Sequence, residues 1–195
     1  MRESIDDPSK SISNGGTASS FLTGMAIWVM SAHEYELAND MLNESKKRAT
    51  SLTDLHFNYN QLIDLNYRRR EEDPRWLEEC IAHCKHDIEI FPDFREEYIA
   101  EEKNRLIFTA QYSMKINLEI GEGDEKQYKE DLQKAEKYTF DIWIPSFHRL
   151  AIIYEKQAKY DKAIKVCELA LKYGLIDGTK AGFAGRIQKL KKKIT

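Results

Sequence analysis

Turn-forming residues are scarce in this chain. Its 195 residues include nine Gly and four Pro, too few to punctuate the many short strands of a β-sandwich or barrel. Cysteine is scarce as well: Cys80, Cys84 and Cys167 are an odd number, which argues against a secreted disulfide framework and fits reduced thiols. No long hydrophobic run is present. The most apolar stretch, Phe21 to Met30, is interrupted by Thr23 and Gly24 and is far shorter than a membrane span. Acidic Asp6 and Asp7 precede it, against the pattern of a signal peptide. Nor is there an excess of positive charge: the formal net charge of -3 offers no overall field for nucleic acid. These absences lead to the expectation of a cytoplasmic protein that binds neither membrane nor nucleic acid.

What the chain has is charge and helical periodicity. Hydrophobic residues make up 42% and charged residues 32%, the balance of a folded protein with well-solvated helices. Residues 1–18 are polar, rich in Ser and Gly, and without period; they read as a disordered lead. Either the chain is the whole protein or an N-terminal domain precedes it. From Ser20 onward, apolar residues recur at three and four: Phe21, Leu22, Met25, Trp28 and Val29, then Tyr35, Ala38 and Leu42. A second helix pair is expected over 54–70 and 75–90, with Asp73 as N-cap and Pro74 at the first helical position. Phe91-Pro92-Asp93 is expected to end that pair. Helices over 94–120, 125–138, 145–157, 160–173 and 179–193 complete a count of about nine, with no convincing strand. The fold class is all-α.

An internal register runs through these pairs. Phe147-x2-Leu150-Ala151-x2-Tyr154 is followed by Tyr160-x2-Ala163-x3-Cys167-x2-Ala170. Leu22-x2-Met25-Ala26 is followed by Tyr35-x2-Ala38-x3-Leu42-x2-Ser45, and Ala26 to Ala38 is twelve residues, as is Ala151 to Ala163. Leu77-x3-Ile81-x2-Cys84 and Tyr128-x3-Leu132-x2-Ala135 keep the second-helix offsets. The successive spacings, Ala38 to Leu77, Leu77 to Tyr128 and Tyr128 to Ala163, are uneven, at 39, 51 and 35 residues.

This signature resembles that of the tetratricopeptide repeat, whose period is 34. The segment from Tyr173 through Ile187 is similar to the ends of bacterial tetratricopeptide proteins, which implies a bacterial or phage source. The resemblance implies a right-handed superhelical stack of about four antiparallel hairpins (about 19–48, 53–91, 94–139 and 144–174) within a domain over 19–195. A capping helix over 179–193 would close it. One hairpin cannot bury its own apolar face, so neighbours must stack.

Signals for chemistry are weak. Cys80, Cys84 and His83, with His86 and Asp87 nearby, are the sharpest metal candidate, because two thiolates one turn apart can share a zinc ion. His83 and His86 do not share that face well, and Cys84 occupies a small-residue slot where core packing is the ordinary use. No Ser has a Gly-rich elbow, and Gly121-x-Gly123 closes a helix instead of opening one after a strand. The basic tail Lys189–Lys193 lacks the aromatics for base stacking. Neither cofactor nor catalytic residue is expected.

In tetratricopeptide proteins the first helix of each pair lines a concave groove. By that resemblance the groove residues are Thr23, Ile27 and Met30 in the first pair, Phe57, Asn58 and Gln61 in the second, and His148, Arg149, Ile152 and Glu155 in the last. The amides of Asn58 and Gln61 suit an extended peptide backbone, and Arg149 suits a carboxylate. The family's carboxylate clamp wants Lys and Asn where Thr23 and Ile27 stand, which disfavours chaperone C-termini as ligands. The expected function is a peptide- or protein-binding scaffold. Two alternatives are a peptide-responsive sensor domain of a larger bacterial system and a structural homo-oligomer, such as a homodimer, formed through the apolar N-terminal hairpin.

Overall fold

The computed structural model describes residues 16–194, so the first fifteen residues of the expected lead lie outside the described part. Among the described residues the chain forms eight α-helices and no strand: α1 (Ala18–Ser31), α2 (Tyr35–Lys47), α3 (Leu52–Arg69), α4 (Pro74–Glu119), α5 (Glu125–Glu136), α6 (Pro145–Lys156), α7 (Tyr160–Lys172) and α8 (Gly182–Ile194). No helix is long and apolar enough to cross a membrane.

Local chemistry accounts for the helix starts. Thr17 and Ser20 form a capping box at α1, each side chain accepting from the other's backbone N–H at 3.0 and 2.9 Å. Ser51 caps α3 and Asp124 caps α5. Asp73 Oδ1 accepts from the Arg75 N–H ahead of Pro74, as the sequence suggests. The stops are equally regular. Helices α1, α4, α6 and α7 each end with a left-handed residue, respectively His33 (φ 63°), Gly121 (φ 79°), Ala158 (φ 55°) and Gly174 (φ 72°). Each end closes with the paired bonds of a Schellman motif, such as Glu34 N–H to the Val29 carbonyl and Lys159 N–H to the Tyr154 carbonyl.

One expected boundary is absent. The segment Phe91-Pro92-Asp93 does not end a helix; α4 runs through Pro92 for 46 residues. Proline costs the helix one backbone bond, but Phe91 and Phe94 on either side are both fully buried. Phe91 packs edge-on against Phe147 and Tyr173, and Phe94 against Phe140. Their burial outweighs the local preference to stop, and two of the nine expected helices become one.

The chain divides into two compact units. Residues up to Phe91 and from Trp143 onward form the first, and residues 92–142 the second. In the first unit, α1 packs on α2 and both pack on α3, burying Ala26, Met30, Ala38, Leu42, Leu62 and Leu65. A second core joins Ile63 of α3, Cys80 and Cys84 of α4, Leu150 and Ile153 of α6, Ala163 and Ile164 of α7, and Leu190 of α8. The pair ending near 91 is therefore in direct contact with the pair beginning near 144. The intervening residues belong to the second unit, which accounts for the uneven spacing seen in the sequence. In the second unit, Tyr98, Phe94 and Phe140 form an aromatic cluster, and Ala135 of α5 is buried.

Candidate functional site

Two clefts of the first unit lie along α3. Helix α3 packs between α1 on one side and α6 on the other. Between α1 and α3 lies an apolar cleft of about 400 Å³, lined by Thr23, Gly24, Ile27, Asp54, Phe57 and Gln61. Ile27 and Phe57 are 43% and 40% exposed, large for side chains in a recess. Between α3 and α6 lies a second cleft of about 320 Å³, lined by Asn60, Gln61, Asp64, Trp143, Pro145 and Arg149. Gln61 borders both.

The walls are held firmly. Asp54 is buried beside the first cleft and accepts from the Thr17 hydroxyl at 2.6 Å and from the Thr50 N–H at 3.1 Å. Behind α1, Ser45 accepts from the hydroxyls of Ser19 and Thr23 and donates to the Ser19 carbonyl. In the second cleft the Arg149 guanidinium lies 3.9 Å above the Tyr67 ring, a cation–π contact that fixes its position. Trp143 is 43% exposed and packs on His148 with ring centroids 5.6 Å apart. Burial, reinforced by the charge of Arg186, pushes the His148 imidazole down from its ordinary range.

The expected groove residues thus separate. Ile27, Phe57, Gln61 and Arg149 come together along the two clefts. Asn58 does not: it is fully buried, and its side-chain amide donates to the Leu42 carbonyl at 2.8 Å. One position along a helix is a rotation of about 100°, so Asn58 belongs to the α2–α3 contact and not to the groove. Met30 is buried in the core with Ala26, Ala38 and Leu42, and Thr23 is mostly buried at the cleft floor. Ile152 and His148 are half-buried on α6 outside both clefts. Glu155 sits apart, at a recess beside α8, where it pairs with Lys193 at 2.8 Å and Arg186 at 3.1 Å. The Lys193 bond holds its carboxyl below the usual range. Asn60, Asp64 and Trp143 line the second cleft without having been singled out in the sequence. Asp64 follows Phe57 and Gln61 at helical spacing, a signal that extension of the register by one turn reads out.

The thiol cluster is part of the core. Cys80, Cys84 and Cys167 are all buried and unpaired, and Cys80 lies 3.5 Å from the Ile63 carbonyl. Burial raises the Cys84 thiol and pushes Cys167 up to about 12, far from the reactive thiolate range. His83 is pushed down to about 4, chiefly by burial, and packs beside Tyr59. Among the described residues no three metal-ligating side chains converge. A buried His56–Asp87 pair, 2.7 Å between Nδ1 and Oδ1, joins α3 to α4 with neither side chain exposed.

Comparison with protein-family models, with curated proteins and with solved structures finds no match.

Proposed function

We propose that the chain is a tetratricopeptide-like interaction module whose ligand is a peptide segment of another protein, held along α1, α3 and α6. The observation that carries this reading is that two clefts flank α3, one on the α1 side and one on the α6 side, with Gln61 lining both. One cleft is apolar at Ile27 and Phe57; the other is polar, with Asn60, Arg149 and Asp64, whose carboxylate is paired with Arg68 at 2.9 Å. An apolar recess with a few convergent polar groups is the ordinary form of a recognition site. A ligand with a hydrophobic side chain a few residues from a carboxylate matches both clefts. Ile27 and Phe57 would take the first, while Arg149, pre-positioned on Tyr67, would grip the second.

The test is selection of peptides from a random displayed library on the wild-type protein, with binding followed by the fluorescence of Trp143 in the second cleft. Selected peptides are expected to combine an apolar and an acidic residue. Phe57→Asp and Arg149→Ala are each expected to weaken them by about tenfold or more, with little change in the thermal midpoint. Equal binding to wild type and both variants rejects the groove. Self-association through the N-terminal hairpin is a second reading, favoured by the exposure of Phe21, Met25 and Trp28 on α1, the last at 77%.

A further inference from the structure

In the second unit the C-terminal half of α4 faces α5. Ala110, Ser113, Met114 and Asn117 mark its inward side, enclosing a space of about 30 Å³ with residues of α5 and its N-cap. On the opposite side Phe108, Tyr112 and Ile116 recur every fourth residue, so they share one face. They are 65%, 57% and 39% exposed, and the Phe108 and Tyr112 rings stack at 6.1 Å and 11°. A row of large apolar side chains over two turns is not ordinary surface.

We propose that this stripe binds a second copy of the chain, with the two α4 helices antiparallel about a two-fold axis at Tyr112. The charges flanking the stripe select that arrangement. Arg105 and Glu119 lie on the same face, equally far from Tyr112 along the helix. An antiparallel pair centred there sets Phe108 against Ile116 of the other copy and Arg105 against its Glu119, and symmetry repeats both contacts. A parallel pair in register sets Arg105, Lys115 and Glu119 each against itself, and like charges so placed repel. Arg105 binds Glu102 through Nε and Nη2 at 3.0 and 2.6 Å, with its side chain 62% exposed. Its Nη1 is left for a second carboxylate. One helix pair buries less than the ~1,200 Å² of a standard interface, the size range of transient, reversible contacts.

Sedimentation velocity of the full chain over a concentration series tests this. The mass is expected to rise from monomer to dimer. Arg105→Glu alone and Glu119→Arg alone should each hold the protein monomeric, and the double variant Arg105→Glu/Glu119→Arg should recover the dimer. Independently, Tyr112→Cys should be linked to itself by a short bis-maleimide, because the three native cysteines are buried. A protein monomeric throughout, a double variant that fails to recover, or a dimer that survives both single reversals and disappears with Trp28→Glu overturns the proposal.

Discussion

Helices α1–α2 and α6–α7 are built on one plan and finished differently. Both turns have a left-handed non-glycine residue, His33 and Ala158, followed by Glu34 and Lys159 with nearly the same backbone angles. Ala26, Ala38, Ala151 and Ala163 are all fully buried. What differs is the last small slot and the cover. Ser45 in the first pair is at the centre of a buried hydroxyl cluster, whereas Ala170 in the last pair is apolar. Phe183 and Leu190 of α8 are buried beyond α7, while α1 leaves Phe21, Met25 and Trp28 in the open. A shared backbone pattern therefore sets how two helices meet; the residues outside it decide what else they touch.

Exchange of the differing slot separates the two pairs most strongly. Ser45→Ala strands the Ser19 and Thr23 hydroxyls and is expected to cost about 2 kcal/mol in denaturant unfolding. Ala170→Ser buries a hydroxyl in an apolar site and is expected to cost about 1 kcal/mol. If either swap is neutral, the slots are interchangeable and the contrast fails.

The shared turns should respond alike, with one difference. Ala158→Gly removes the steric penalty of a left-handed alanine and is expected to raise stability by about 1 kcal/mol. His33→Gly is expected to gain less, because it also removes the 2.8 Å contact between His33 Nδ1 and the Tyr35 hydroxyl. A loss of stability at Ala158→Gly shows that the turn is held by contacts outside its backbone.

The smallest effect concerns the cover. Glu155 ties α6 to α8 through Lys193 and Arg186, and its folded carboxyl titrates below the unfolded one. This contribution is present above the ordinary glutamate range near ~4.3 and is lost as pH falls through the lower folded value. Glu155→Gln is expected to cost less than about 1 kcal/mol at neutral pH. The difference from wild type should shrink in acid, as read from thermal midpoints across a pH series.

Helical class, most helix ends and the small-residue slots were legible in the residues, because each follows from local spacing or capping chemistry. The lining of the two clefts was legible in part. The tetratricopeptide resemblance picked out Ile27, Phe57 and Gln61, which line them, but it picked out Asn58 too, one step of rotation from Phe57, where its amide meets the Leu42 carbonyl. Trp143 was silent in the sequence because it lies between elements, where no period applies.

By itself, then, the sequence determined that helices form, where most begin and end, and which faces are apolar. All of these depend on residues within a turn or two of one another. The tertiary structure decided that α4 passes through Pro92, that the pair ending near 91 meets the pair beginning near 144, and that Gln61 lines a cleft on either side of α3. Those outcomes depend on burial between residues far apart in the chain, and no local pattern records how much apolar surface a distant partner will cover.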